Sequence, residues 1–304
     1  MVNIMAFEIS IIIVSYNNEN VLRQTIVSLL QQINFNDVEI VVVDNASTEN
    51  NVEMIKKDFP QIKLIENKEN VGFGRANNQG ATIAKGEFLF FVNGDVILKG
   101  NPFIEMISIY KKNRNVGLLG AQLINSDGSL QPSHYNFPSI TKRIIELLGF
   151  KKFFLRFYST NKVNTTTFFR INVVKGAFFL VNKDLFKKLG GFDDYYFMYI
   201  EDIDLSYKAI KEGYHNYLYN CRDIIHLGWN IETILNEFTF FNRNRGLIYF
   251  YKKNHFKLIY YLFITINFIL LGIKLLYYNC LTTQEEPRKV LEKVWLMYAK
   301  AFNK

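Results

Sequence analysis

The chain has two cysteines in 304 residues, Cys221 and Cys280. They lie far apart and lack metal-ligand spacing, which excludes a disulfide framework and points to a reducing compartment. No basic residue precedes Arg23, so the apolar run Ile9 to Val14 has no basic n-region and a signal peptide is not expected. There is no internal repeat and no low-complexity linker, and one large domain with a C-terminal appendage is expected. No nucleic-acid recognition motif accompanies the net charge of +8. That charge is read toward a pyrophosphate ligand or anionic lipid headgroups, or simply a lysine-rich surface. A dinucleotide fingerprint is also missing: Gly72 and Gly74 are followed by Asn77 where G-x-G-x-x-G needs a third glycine. This counts against a NAD-dependent dehydrogenase.

Hydrophobic residues make up 49% of the chain and charged residues 21%, a balance that fits a globular enzyme and excludes a disordered chain. Aromatics reach 16% and gather around Phe153 to Phe169, Tyr195 to Tyr199 and Phe238 to Tyr278. Belts of that kind suit a sugar-binding cleft or a membrane interface.

The first half alternates strand-length runs with helical spacing. Ile9 to Val14, Glu39 to Val43, Lys63 to Glu66 and Phe88 to Val92 read as strands. Glu19 to Gln31, Val52 to Phe59 and Arg75 to Ala84 read as helices. Buried-type strands separated by helices predict an α/β fold with a parallel sheet covered on both faces. Ser126-Asp127-Gly128-Ser129 marks a hairpin turn. Residues Tyr135 to Arg170 have no clean period. Val173 to Val181 reads as strand, Asn182 to Leu189 as a helix closed by Gly190-Gly191. A further helix starts near Glu201, and Asp223 to His226 is a short strand.

Several residues at these element ends carry chemistry. Asp44 and Asp95 follow strands, and in a parallel sheet such positions share one rim where ligands bind. Either could instead cap a turn. Asn70 to Asn78 is a glycine turn entering a helix, a place suited to phosphate. Arg75 opposes the helix dipole there unless it meets an anion or a base. The acids Asp193-Asp194 and Glu201-Asp202-Ile203-Asp204 flank Tyr195 to Tyr199. One of them could take a proton from a sugar hydroxyl, the aromatics could stack a sugar, or the acids could serve as N-caps. His226 is either structural or a ligand to Mn²⁺ or Mg²⁺ together with an Asp oxygen.

Together, Ile12 to Asn17, Val42 to Ser47, Asn70 to Asn78, Val92 to Asp95, Lys175 to Ala177 and Gly190 to Leu205 resemble glycosyltransferase family 2, in its rhamnosyltransferase-like branch. The likeness covers about residues 7 to 250. It implies a GT-A fold: a Rossmann-like mixed sheet flanked by helices. It implies that Ser15, Tyr16, Asn17, Asp44, Arg75 and Asn78 bind the nucleotide. Asn93, Gly94, Lys175, Gly176 and Ala177 would line the donor sugar. Asp95 and His226 would hold a divalent metal, Mg²⁺ or Mn²⁺. Asp202 would be the catalytic base, with Glu201 and Trp229 on the acceptor. Two departures stand out: Asn93 replaces the first acid of the DXD-like motif, and Asn230 stands where Ser is frequent. The resemblance implies an inverting transfer from a UDP- or dTDP-type sugar to a glycan or polyprenyl-linked acceptor, at the cytoplasmic face of the plasma membrane. The competing reading is a non-catalytic nucleotide-sugar-binding scaffold subunit, which would keep Asp44 and Arg75 but not the base.

The expected catalytic domain is 1–250, with 251–304 a helical appendage. There, Leu258 to Ile273 is almost wholly apolar between Lys257 and Lys274, short of the ~20 residues a spanning helix needs. Three readings stay open: an interfacial helix on an anionic membrane surface, a buried oligomer contact, or a short spanning helix. The helix Glu285 to Phe302 is expected beside it.

Overall fold

The computed structural model describes residues 8–33, 38–148, 167–228, 237–281 and 285–302. In chain order its elements are β1 (Ile9–Ser15), α1 (Glu19–Leu30), β2 (Val38–Asp44), α2 (Asn51–Asp58), β3 (Lys63–Glu66), α3 (Phe73–Ile83), β4 (Phe88–Asn93), β5 (Val96–Leu98), α4 (Phe103–Lys112) and β6 (Val116–Ala121). The short strands β7 (Leu123–Ile124), β8 (Leu130–Gln131) and β9 (His134–Tyr135) lead to α5 (Ile140–Leu147). Then come β10 (Phe168–Ile171), β11 (Val173–Val174), β12 (Phe178–Asn182), α6 (Lys183–Lys188), α7 (Glu201–Lys211), β13 (His215–Tyr219) and β14 (Ile224–His226). The C-terminal helices are α8 (Glu237–Asn254), α9 (Lys257–Leu281) and α10 (Glu285–Ala301). The backbone forms two compact units. The first holds the sheets, α1 to α4, α6 and α7 from Asp202 onward; the second holds α5, Met198–Glu201 and α8 to α10.

In the first unit, an eight-stranded sheet runs β10-β13-β6-β12-β4-β1-β2-β3. Strands β3, β2, β1 and β4 are parallel, whereas β12 runs antiparallel between β4 and β6. The sheet is therefore mixed, as the GT-A expectation requires. The continuous apolar runs split by period two. Ile11, Ile13, Ile40, Val42 and Phe90 join one core with Leu22 and Ile26 of α1 and Phe103 and Met106 of α4. Ile12, Val41, Val43 and Phe91 join the other with Ala76 of α3, Phe186 of α6 and Leu205 of α7. Both faces are buried, which is why these strands read as unbroken hydrophobic runs.

A four-stranded sheet, β5-β14-β7-β8, follows from the Asp-Gly turn. Gly128 has φ +82°, and Asn125 N–H donates to Ser129 O at 2.8 Å to close the hairpin. Val173 to Val181 is not one strand. The chain leaves β11, paired with β9, and enters β12 after the break Lys175-Gly176-Ala177. The expected helix after it forms as α6, capped by Asn182, whose Oδ1 accepts from Asp184 N and Leu185 N.

In the second unit, α9 is longer than its sequence suggests. It continues past Lys274 to Leu281, and the apolar stretch Lys257–Cys280 covers 24 residues at mean hydropathy 2.0. Lysine does not end a helix, because its stem lies along apolar surface while its ammonium reaches out. The expected neighbour α10 packs on it: Trp295 stacks on Phe268 at 4.8 Å, and its indole N–H donates to Phe268 O at 3.0 Å. Tyr251 of α8 stacks on Phe263 at 3.8 Å.

Candidate active site

Register brings the expected residues to one rim of the large sheet. Ser15 pairs with Asp44, and Val14 with Asn93, so the ends of β1, β2 and β4 lie level. Beyond that rim the residues form two groups.

The first group surrounds the β1 and β2 turns. Ser15 Oγ donates to Asn18 Oδ1 at 2.9 Å. Asn51, fully buried, donates to Ser15 Oγ at 2.5 Å and to Asn18 Oδ1 at 2.9 Å. Asn18 Nδ2 reaches Gly94 O at 3.3 Å. Asn17 sits at φ +48°, and its Oδ1 accepts from Thr48 N at 2.7 Å. Asp44 accepts from Ser47 N at 2.9 Å and Ser47 Oγ at 2.6 Å, so its carboxylate does hold the turn after β2. Tyr16 is exposed beside it. Asn45, unnoticed in the sequence, is buried and ties this turn to the next: its Oδ1 accepts from Val71 N at 3.0 Å, and its Nδ2 donates to Asn70 Oδ1 at 2.8 Å.

That next turn enters α3. Gly72 has φ +90°, and a Cβ there would lie 2.4 Å from Phe197 O, so only glycine fits. Arg75 meets Asp194, its Nε donating to Asp194 O at 3.1 Å, which answers the unfavourable dipole position. Asn78 is a clamp: its amide donates to Phe192 O at 2.8 Å and accepts from Phe192 N at 3.0 Å. Neither residue touches the reactive group below through a described hydrogen bond.

The second group is Asn93, Asp95, Lys175, Gly176, Asp202 and His226. Strand β14 pairs antiparallel with β5, placing His226 opposite Val96. His226 Nε2 thereby lies 3.3 Å from Asp95 Oδ1. Gly228 makes this possible, since a Cβ there would come within 2.1 Å of Asp95 Oδ2. Gln131 on β8, also missed in the sequence, is fully buried behind the histidine. Its Nε2 donates to His226 O at 3.0 Å, which fixes the amide, and its Oε1 faces His226 Nδ1 at 2.7 Å. Nδ1 therefore donates to Gln131 Oε1, and Nε2 faces Asp95. Asn93 Nδ2 lies 3.4 Å from Nε2, and Asn93 Oδ1 is buried without a hydrogen-bond partner.

Among the described residues no three His, Cys, Asp or Glu side chains meet in one place. Yet Nε2 and Asp95 Oδ1 face each other at 3.3 Å, a ring nitrogen and a carboxylate oxygen of the kinds that bind a divalent cation. A cation satisfies such a pair. One nitrogen and one carboxylate, completed by diphosphate oxygens, suit Mg²⁺ or Mn²⁺.

Lys175 Nζ donates to Gln131 Oε1 at 2.7 Å. Burial pushes its ammonium down to about 7, against the opposing pull of Asp95 and Asp202. Asp95 is pushed up by burial, but His226 and Lys175 outweigh this and hold it below the ordinary range. Asp202, the first residue of α7 in this unit, accepts from Gly176 N at 3.2 Å and Ile203 N at 2.8 Å. Burial dominates those bonds and raises its pKa above the ordinary aspartate value. Ala177 contributes backbone, its O accepting from Asn93 N at 2.9 Å.

The other acids and aromatics divide differently from expectation. Asp204 is buried and accepts from Tyr196 OH at 3.3 Å. Tyr196 is a core residue and cannot stack a sugar; Tyr195 is exposed. Asp193 Oδ1 accepts from Tyr195 N at 2.9 Å. Glu201, buried at the start of α7, belongs to the second unit's segment, where Tyr199 and Ile200 take φ +68° and +75°. Trp229, expected on the acceptor, and Asn230 lie outside the described residues.

The mixed sheet and its rim have the GT-A glycosyltransferase architecture. Residues 10–190 match the family Glycosyl transferase family 2, and the chain belongs to it; it is a glycosyltransferase. It is 26% identical over 212 residues to N-acetylglucosaminyl-diphospho-decaprenol L-rhamnosyltransferase of Mycobacterium tuberculosis, covering 62% of this chain and 66% of that protein. It is 28% identical over 215 residues to poly(ribitol-phosphate) beta-glucosyltransferase of Bacillus spizizenii, covering 67% of this chain and 34% of that one. The chain thus spans less than two thirds of the length of these relatives. The crystal structure of S. aureus TarS 1–349 shares the fold, with TM-score 0.55 and 15% identity over 97% of this chain and 81% of that one.

Proposed function

We propose that this glycosyltransferase moves a sugar, with inversion, from a UDP- or dTDP-type donor to a glycan or polyprenyl-linked glycan in surface polysaccharide synthesis. Rhamnose is the first candidate sugar, because the Mycobacterium tuberculosis relative is named for rhamnosyl transfer to a diphospho-decaprenol acceptor. The work is assigned to the cytoplasmic face of the plasma membrane, against an anionic lipid surface. Every residue given a role falls within 1–250, the expected catalytic part.

The observation that carries this reading is the fixed carboxylate of Asp202. Two backbone N–H groups hold it beside Gly176, next to the half-buried Lys175. Asp202 takes the proton of the acceptor hydroxyl at its carboxylate, and the hydroxyl oxygen attacks the anomeric carbon opposite the leaving diphosphate. A raised pKa makes it a stronger base than an exposed aspartate. Lys175, Gly176 and the Ala177 backbone line the donor sugar; Ser15, Tyr16, Asn17, Asp44, Arg75 and Asn78 bind the nucleotide. Asp95 and His226 would hold the divalent cation, which supplies charge neutralisation for the departing diphosphate. Glu201 and Trp229 are assigned to the acceptor.

The test is a thermal-shift panel of nucleotide diphosphates and sugar nucleotides, with and without Mn²⁺. A ligand at a hundred times its dissociation constant adds about 2.7 kcal/mol of stability. A metal-dependent shift names the base, and the best conjugate names the sugar. A folded sample that responds to no nucleotide overturns the reading in favour of the scaffold alternative.

A further inference from the structure

The second unit divides α9 into two apolar faces. Tyr260, Phe263, Ile264, Asn267 and Leu271 are buried within the unit. Opposite them, Leu258, Leu262, Ile269, Ile273 and Leu276 are exposed in one stripe about 27 Å long at 1.5 Å per residue. Exposed Lys252, Lys253 and Lys257 stand at its N-terminal end. Charge is distributed in the same direction. Residues 137–160, 198–201 and 230–304 carry 16 Lys and Arg against 7 Asp and Glu, whereas the rest of the chain is close to neutral. A second copy would bring two such basic units together; an anionic bilayer complements both the stripe and the charge.

The apolar stretch Lys257–Cys280 is long enough to cross a membrane, but the inner face of α9 forbids crossing. Arg143 of α5, 4% exposed, donates from Nε to Asn267 Oδ1 at 2.6 Å, in the middle of α9. The same guanidinium bonds Asn244 Oδ1 and pairs with Glu146 at 2.9 Å; Tyr298 OH donates to Asn244 Oδ1 at 3.1 Å. Drawing α9 through hydrocarbon would pull these groups apart or carry an Arg–Glu pair into lipid. Helix α10, packed along α9, exposes Lys289, Glu292, Lys293 and Lys300, one charge nearly every turn, and cannot follow it into the bilayer core.

From this we infer that α9 lies flat in the interface of an anionic bilayer, its Leu258–Leu276 stripe among the acyl chains and its other face locked to Arg143. The inference rests on the peripheral-membrane reading above and adds the geometry of docking.

The test uses the full chain and sealed vesicles of phosphatidylcholine with and without phosphatidylglycerol. The expected result is flotation with the anionic vesicles only, weakened at least about tenfold by Leu262→Glu with Ile273→Glu. Leu262→Cys and Ile273→Cys, each in a Cys280→Ser background, then carry a fluorophore, while the buried Cys221 stays unlabelled. Brominated lipids should quench both positions at the same shallow depth. Unequal depths, with one end shielded from an impermeant quencher outside the vesicle, mean a spanning helix and overturn the flat geometry alone. Absence of flotation on anionic vesicles overturns the membrane reading itself. A dimer that the glutamate pair dissociates, without flotation, makes a second copy the occupant and overturns the inference. Transfer to a water-soluble acceptor is expected to be unchanged in the glutamate pair, which separates these outcomes from failure of the transferase reading.

Discussion

The turns after β1 and β2 and the cluster around Asp95 are built from similar polar residues, yet they are wired in opposite ways. Around Ser15 and Asp44 the side chains satisfy one another: Asn51 serves Ser15 and Asn18, Asn17 serves Thr48, and Ser47 serves both oxygens of Asp44. Only Asn51 Oδ1 is left over. Around Asp95 the groups are left incomplete. His226 and Asp95 touch, a buried amide oxygen has no partner, and Lys175 and Asp202 are both displaced from their ordinary pKa values. A satisfied network holds a shape and resists change; an unsatisfied one stores interactions for a ligand to complete. On the proposed function, the first region is a mould for the nucleotide, and the second is where charge and protons move.

The sharpest way to break this contrast is Asp202→Asn. It keeps the acceptor atom near Gly176 N but removes the base, and turnover should fall a hundredfold or more. The fold should not suffer. Because the folded-state pKa of Asp202 is raised, ionisation costs stability as pH rises above the unfolded value, so at neutral pH the asparagine variant melts no lower than the native chain. The same shift sets the acid limb of the pH–rate profile: activity should fall, as pH drops, at a value above that of an ordinary aspartate near 3.9. A variant with near-native turnover, or an acid limb below that value, removes Asp202 from the chemistry.

Next in size is Gln131→Leu. It frees His226 Nδ1, so the ring no longer has a fixed tautomer or orientation, and Mn²⁺ affinity should weaken roughly ten- to a hundredfold. Calorimetric titration of Mn²⁺ reads this without any turnover. An unchanged affinity means that the pairing of His226 with Asp95 is structural.

How much of this was visible beforehand follows the range of the interactions. The strands β1, β2 and β4 announce themselves because each is buried on both faces and reads as a continuous apolar run, while β3 is a short, half-buried edge strand. Strands β6 and β13 were not found. One contains two glycines, the other has a single aliphatic residue and buries Asn216, and they pair across more than ninety residues of intervening chain. The pairing of Asp95 with His226 was expected from family resemblance; no local pattern shows that β5 meets β14. Gln131 was invisible for the same reason. The Asp-Gly turn that delivers it was plain, but nothing local says that a glutamine on a two-residue strand lies beneath a histidine. The length of α9 is masked in the sequence because Lys274 interrupts the apolar run without ending the helix.

A smaller effect is expected in the mould. Asn51→Ala removes the donor shared by Ser15 Oγ and Asn18 Oδ1 in a fully buried place, and should cost about 1 to 3 kcal/mol of stability. Nucleotide affinity should fall with it, because Asn18 also holds Gly94 O. Urea unfolding measures the first and titration with UDP and dTDP the second. If stability is lost but affinity is not, the turn is a brace and not a mould.

Arg75→Met gives the smallest stability change and the finest distinction. Arg75 and Asp194 are 53% and 65% exposed, with Nε 4.0 Å from the carboxylate, so solvent screens the pair and its loss should cost at most about 1 kcal/mol. A residue that only clamps the Phe192–Asp194 loop would leave nucleotide binding where it was, since Asn78 already holds that loop by two bonds. A residue that also meets the nucleotide would weaken UDP or dTDP binding by far more than the melting temperature moves. Arg75 is cationic, half exposed and set at the start of α3, where the helix dipole already favours an anion. We therefore expect affinity to drop several-fold with the melting point almost unchanged, and equal, small changes in both would return Arg75 to the loop.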